Sequence, residues 1–214
     1  MKTFVISLAT TPERKEACEQ HLDSVGLEHE FFDGVDNRVF QLKSTIPYLD
    51  DNPNDPCYMT DGQVGCLLSH YTLWKTLQYL PYDEILILED DAELTPDFKS
   101  KFDDLYANLP TDWEFVYVGH YCLDNTPKYI YKEIGKVETA PLCTHAYLLK
   151  KEAINKVIDK FTAWINVDIL FRKRIMPNLK FYIFEPPIVN QKSLHRKEDG
   201  STESIKEGIF KSIT

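Results

Sequence analysis

No stretch of this chain approaches the roughly 20 consecutive apolar residues of a membrane-spanning helix, so its 214 residues supply no such span. The opening run Phe4-Val5-Ile6-Ser7-Leu8 is also too short for the apolar core of an export signal, and it reads as a first strand. The expectation is a cytosolic protein, or one seated peripherally at the cytosolic face of a membrane. Cysteine is sparse: Cys18, Cys57, Cys66, Cys122 and Cys143 make neither a CxxC pair nor a zinc-type spacing. Without an export signal they are expected to be reduced thiols. There are no repeats, low-complexity blocks or linkers, so one domain over residues 1–214 is expected. Positive charge is scarce at first: residues 1–125 carry 8 Lys and Arg against 24 Asp and Glu. Residues 126–214 reverse this, with 16 against 10. The acidic half suits a cation, and the basic half suits phosphates or an anionic lipid surface. The overall net charge of −10 argues against nonspecific nucleic-acid binding.

The apolar run Ile85-Leu86-Ile87-Leu88 reads as a strand buried on both faces, as in a parallel sheet. Glu89-Asp90-Asp91 follows where that strand leaves the core. Adjacent carboxylates repel and resist burial, and a bound cation relieves both problems. Oxygen ligands suit Mn2+ or Mg2+. A divalent ion at the C-terminal edge of a parallel sheet is a natural seat for a diphosphate. The competing reading is a solvated acidic turn before the helix start Thr95-Pro96-Asp97.

Lys2–Leu8 is expected as a strand. Thr11 then caps a helix with Pro12 in its first turn, running to Val25 and stopping at Gly26. His29–Phe32 is a second short strand. Residues 41–60, with Pro47, Pro53 and Pro56, read as a loop. Val64, Leu67, Leu68, Tyr71, Trp74 and Leu77 repeat at helical spacing and predict a helix over Asp61–Tyr79. Further on, the sequence predicts a helix over Pro96–Asn108 and strands at Phe115–Gly119, Lys136–Ala140 and His145–Leu149. Helices over Lys151–Asp159 and Asp168–Arg174 and a strand at Lys180–Phe184 complete the series.

Several segments in this order resemble glycosyltransferase family 25. They are Phe4–Leu8 with Pro12-Glu13-Arg14; Phe31-Phe32-Asp33-Gly34-Val35-Asp36; and Gly62-Gln63-Val64-Gly65-Cys66-Leu67-Leu68-Ser69-His70. Ile87–Leu94 with Phe98, Thr144–Leu149, Val167-Asp168, and Pro186-Pro187 with Gln191 and Ser193 complete the set. The resemblance covers roughly residues 3–195 and implies a GT-A-type α/β fold, with a mixed, mainly parallel sheet flanked by helices. It implies an inverting transfer of a hexose, galactose foremost, from a UDP-sugar to a glycan or lipid-linked glycan acceptor. Residues 1–125 would mainly hold the nucleotide-sugar and residues 126–200 the acceptor.

Under this resemblance Leu8, Thr10, Arg14, Asp36, Ser69, His70, Glu89 and Asp90 stand on the nucleotide-sugar side. Asp91 is expected to ligate Mn2+ or Mg2+, with His195 as a further ligand or else part of a solvated basic tail. Glu89 is expected at the ribose, and Asp90 at a metal-bound water or holding the turn. Asp168 is the expected general base, or else the N-cap of its own helix; Glu138 and Asp124 are weaker choices. Arg14 meets a phosphate or pairs with a surface acid, and Asp36 meets the ribose or base or serves a turn. His70 orients a carboxylate or the sugar, or is a core residue; His145 and Tyr147 share that ambiguity. Trp164, Tyr121 and Tyr129 could stack on a sugar. A metal-dependent phosphohydrolase and a non-catalytic nucleotide- or glycan-binding relative are the alternatives.

Overall fold

Ile85, Leu86, Ile87 and Leu88 are fully buried at the centre of the protein, in a computed structural model that describes residues 1–41, 58–121 and 123–192. They form strand β3 (Glu84–Glu89). β1 (Lys2–Ser7) pairs with it in parallel, and β2 (Glu30–Asp33) lies parallel on the other side of β1. Across β3 runs β8 (Leu142–Lys150), antiparallel to β3 and also to β5 (Phe115–Tyr121). β9 (Phe181–Phe184) is parallel to β5. The hairpin β6 (Lys128–Tyr131) and β7 (Ile134–Lys136) closes that edge. The order is β2-β1-β3-β8-β5-β9-β7-β6. The sheet is mixed and flanked by helices, as expected, and it is parallel on the side that delivers the acidic turn. β8, from the basic half of the chain, lies between β3 and β5 of the acidic half, so the two halves share one sheet.

Alternation along β3 splits the core in two. Ile85 and Ile87 face one layer, with Leu67, Leu73, Trp74 and Leu77 of helix α3 (Asp61–Leu77) and Ala153, Ile154 and Val157 of helix α5 (Lys151–Asp159). Leu86 and Leu88 face the other, with Cys18 and Leu22 of helix α1 (Pro12–Ser24) and Phe98, Phe102 and Leu105 of helix α4 (Phe98–Ala107). Each such Leu or Ile side chain contributes about 1.5–3 kcal/mol by burial. Sequence periodicity alone therefore places most of the scaffold correctly.

Local chemistry sets the boundaries. Thr60 and Gln63 form a reciprocal capping box at the start of α3, at 3.2 and 2.9 Å. Gly26, at φ +67°, ends α1: Leu27 N–H donates to the Leu22 carbonyl at 3.0 Å. Thr11 does not cap α1 as expected; its hydroxyl donates to the Leu8 carbonyl at 3.3 Å, bracing the bend that leaves β1. The strand expected at Lys136–Ala140 is present only at Lys136, the last residue of β7. The edge hairpin β6–β7 comes earlier; β6 is largely exposed and β7 has only three residues, so neither presents an apolar run. The helix expected over Asp168–Arg174 starts at Val167 as α6 (Val167–Leu170) and widens into a π-type turn over Phe171–Ile175.

Two short strands escaped sequence reading. β4 (Ala92–Leu94) and β10 (Val189–Gln191) pair antiparallel just beyond the acidic triplet. At three residues each they are too short to show a period. β10 crosses close over β5 at Gly119, where the β5–β8 register shifts. A Cβ on Gly119 would stand 2.6 Å from the Val189 carbonyl oxygen and would also strike His145. Gly119→Ala is therefore expected to cost about 1–3 kcal/mol in denaturant unfolding by overpacking. Parent-like stability would show that β10 yields without loss.

Candidate active site

The C-terminal ends of the parallel strands β1, β2 and β3 open together into a cleft of about 430 Å3. Ser7 and Leu8 line it from β1, Val35 and Asp36 from beyond β2, and Glu89, Asp90 and Asp91 from beyond β3. Cys66, Ser69 and His70 line it from α3. The close approach of α3 depends on Gly65, where a Cβ would meet the Val35 carbonyl oxygen at 2.6 Å.

The three acids behave differently. Glu89 Oε1 accepts from the Thr144 hydroxyl at 3.2 Å and faces His70 Nε2 at 3.1 Å. Burial disfavours its charge, but the His70 hydrogen bond and charge, with help from His145 and Thr144, hold its carboxyl below the usual range. Asp90 is buried, takes an ion pair from Arg14 and accepts from the Ser7 hydroxyl at 3.0 Å. Its backbone N–H donates to the Ile6 carbonyl at 3.1 Å. Asp90 thus ties the turn to β1; of its two expected roles, the structure supports holding the turn.

Asp91 Oδ2 accepts from Gln191 Nε2 at 3.0 Å, and its carbonyl accepts from Lys192 N–H at 2.7 Å. Asp91 Oδ1 is buried with no hydrogen-bond partner. Burial first, and the Glu89 charge second, push its carboxyl up to about 7, against the Gln191 hydrogen bond and Arg14. An unpartnered buried carboxylate oxygen is chemistry that a hard divalent cation satisfies. Asp91 fits the expected ion.

Asp168 is not its helix's N-cap. Asn166 fills that position, its Oδ1 accepting from Ile169 N–H at 3.0 Å. The Asp168 carboxyl is turned toward β8, where the Cys143 N–H and the Thr144 hydroxyl reach it. Burial and the Glu89 charge push it up to about 6, against His70 and those hydrogen bonds. Cys143 sits at φ +72°, a left-handed conformation that is unusual for a non-glycine residue. Asp124 pairs with Arg172 at 3.2 Å and Glu138 is exposed, whereas Asp168 lies within reach of the Glu89 charge.

Other expected contacts are spent internally. Ser69 Oγ accepts from Val35 N–H and donates to the Gly65 carbonyl, both at 2.7 Å, so it positions the turn after β2. Asp36 caps the short helix α2 (Asn37–Phe40) and accepts from Arg38 Nε at 2.9 Å and from Thr10 Oγ1 at 2.6 Å. The Arg38 and Thr10 hydrogen bonds hold its carboxyl far below the usual range. Asp36 is the turn and cap acid rather than a free ribose ligand, and Thr10 serves it. Leu8 and Arg14 line the cleft. Arg14 pairs with buried Asp90, not with a surface acid, and lies 4.0 Å from Asp91. His70 is fully buried between Glu89 and the Tyr147 hydroxyl (Nδ1 at 2.9 Å), which also accepts from Trp74 Nε1 at 2.9 Å. It orients a carboxylate. His145 Nε2 faces the Val189 carbonyl at 3.2 Å and anchors β10. Tyr121, Tyr129 and Trp164 are exposed. His195 lies outside the described residues, as does most of the 41–60 loop.

The cleft-lining Arg38, with Thr144 and Gln191, was not foreseen as part of the site. Thr144 and Gln191 lie in segments that carry the family resemblance; Arg38 has no sequence signal.

A family model described as glycosyltransferase family 25 (LPS biosynthesis protein) matches residues 1–171. The chain belongs to glycosyltransferase family 25. It is 30% identical over 171 residues to a glycosyltransferase 25 family member of Aedes aegypti, covering 73% of this chain and 28% of that protein. It is 31% identical over 127 residues to human procollagen galactosyltransferase 2, covering 54% and 20%. A human relative named inactive glycosyltransferase 25 family member 3 is 27% identical over 128 residues, covering 55% and 21%. The chain thus spans less than a third of the length of these relatives. The glycosyltransferase GlyE of Streptococcus pneumoniae superposes with a TM-score of 0.48 at 9% identity, over 100% of this chain and 60% of that one.

The charge arrangement has a stability consequence. Asp91 is raised from its ordinary 3.8 to about 7. The stability it contributes is therefore present below about pH 4 and lost as pH rises through about 7. Asp91→Asn removes that loss. At pH 8 without divalent cations the variant is expected to melt higher than the parent, by about 2–4 °C per kcal/mol relieved. At pH 4 the gap should close; a lower melting temperature at pH 8 would contradict the arrangement.

Proposed function

We propose that this chain transfers a hexose, galactose foremost, from a UDP-sugar to a glycan or lipid-linked glycan acceptor, with inversion at the anomeric carbon. The observation that carries the reading is the unpartnered, buried Asp91 Oδ1 at a cleft built from parallel strand ends. Asp91 would hold Mn2+ or Mg2+, which supplies Lewis-acid neutralisation of the diphosphate's developing charge. Arg14 and Arg38 border the same cleft and offer guanidinium donors to phosphate oxygens. Glu89, kept ionised and oriented by His70 and Thr144, accepts from a ribose hydroxyl. Asp168, with its raised carboxyl, takes the proton from the acceptor hydroxyl as the new glycosidic bond forms. The name of the human galactosyltransferase relative supports galactose, and the family model's description supports a lipopolysaccharide-type acceptor. No helix among the described residues is long and apolar enough to cross a membrane. The reading places the protein in the cytosol, where the basic second half would favour peripheral contact with anionic lipid.

A non-catalytic binding role is the second reading, favoured by the relative named as inactive. UDP release from a panel of UDP-sugars, with Mn2+ and with chelator, separates the two. Metal-dependent release from one donor is expected. Asp168→Asn should slow it about 10²–10⁴-fold while UDP binding persists. The parent rate should fall as pH drops through about 6, where the base takes up its proton. UDP binding without turnover on any donor would favour the binding role, and absence of both would overturn the UDP-sugar reading.

A further inference from the structure

Searching for cysteine pairs overlooks a mixed cluster beside the acidic turn. Cys66 and His70 are one helical turn apart on α3, so both side chains leave the same face. Glu89, at the end of β3, meets them. His70 Nε2 stands 3.1 Å and Cys66 Sγ 3.9 Å from Glu89 Oε1, and all three donor atoms lie within 4.8 Å of one another. In a tetrahedral zinc site, bonds of about 2.0–2.1 Å to N or O and 2.3 Å to S put neighbouring donors roughly 3.3–3.6 Å apart. The donor separations, from 3.1 Å to at most 4.8 Å, bracket that range, so the cluster reaches the geometry by drawing in around the ion.

We propose that Cys66, His70 and Glu89 form a binding site for a soft divalent cation, zinc foremost, distinct from the oxygen-donor position at Asp91. The set holds one sulfur, one imidazole nitrogen and one carboxylate oxygen, which selects zinc over Mn2+ or Mg2+. Three protein ligands leave a fourth position, the pattern of open zinc sites. All three residues border the cleft, which gives the ion an entry path.

Supporting contacts are already in place. His70 must present Nε2 without a proton to ligate, so Nδ1 must carry it. The Tyr147 hydroxyl oxygen is 2.9 Å from Nδ1 and can accept that proton's hydrogen bond as well as the one from Trp74 Nε1. Thr144 donates to the same Glu89 oxygen and helps to orient the carboxylate. Burial and the Glu89 charge keep the Cys66 thiol protonated in the free protein. Binding replaces protons with the cation: the Cys66 S–H bond and the His70 Nε2–H bond that faces Glu89 break, sulfur–metal and nitrogen–metal bonds form, and the released protons leave to solvent.

The test uses Co2+ as a spectroscopic stand-in on the whole chain and needs no turnover, so it stands or falls independently of the transferase reading. The parent is expected to bind one Co2+ with a thiolate-to-cobalt charge-transfer band, displaced by zinc. The band should vanish in Cys66→Ser at unchanged secondary structure and persist in Cys18→Ser, whose thiol lies in the other core layer. A second measurement needs no substitution: zinc should protect Cys66 from alkylation, read by peptide mass mapping of the parent chain. A parent spectrum without a thiolate band, a band retained in Cys66→Ser, or equal alkylation of Cys66 with and without zinc would overturn the proposal.

Discussion

The Glu89 charge reaches both Asp91 and Asp168 where little water remains, and that repulsion is the constraint around which the site is organised. Such an arrangement collapses unless each carboxyl is compensated or kept protonated. The chain answers each differently. Glu89 is matched by His70 and Thr144, and Asp168 is left raised toward neutrality. Asp91 keeps one oxygen on Gln191 and the other without a partner. The remaining acid of the triplet, Asp90, is neutralised by Arg14 and serves the backbone. Three adjacent acids therefore divide into one that anchors, one that is oriented and one that is available.

The scaffold exists to hold that division. Fully buried β3 fixes where the triplet leaves the sheet, and α3 brings His70 against Glu89 because Gly65 lets the helix approach the turn after β2. β10 closes the far side: the Gln191 side chain and the Lys192 backbone both grip Asp91, while His145 and the small Gly119 let the strap lie flat over β5. The strap and the triplet are about 100 residues apart in sequence, yet they form one structural unit.

Continuous burial made β3 legible, and 3.6-residue periodicity made α3 legible, because both signals come from packing that dominates the local free energy. The acidic triplet stood out for the same reason: charge at the end of an apolar run is costly unless used. What escaped was decided by individual hydrogen bonds. The polar atoms of Asp36 and Ser69 are taken up by Arg38, Thr10, Val35 and Gly65. Asp168 is free of the helix-cap role because Asn166, two residues earlier, takes the cap. Thr144 and Gln191 act through tertiary proximity across 55 and 100 residues, which no local pattern encodes. Cys66 and His70 carry no paired-cysteine spacing; only the fold brings Glu89 to them.

The account rests on Asp91 as the residue that couples a cation to the diphosphate. Titration calorimetry of UDP, with and without Mn2+, into the parent chain and Asp91→Asn addresses that coupling directly. The expected result is UDP binding that strengthens markedly with Mn2+ in the parent and is insensitive to Mn2+ in the variant. Equal UDP affinity with and without Mn2+ in the parent, or the same Mn2+ enhancement in Asp91→Asn, would contradict it.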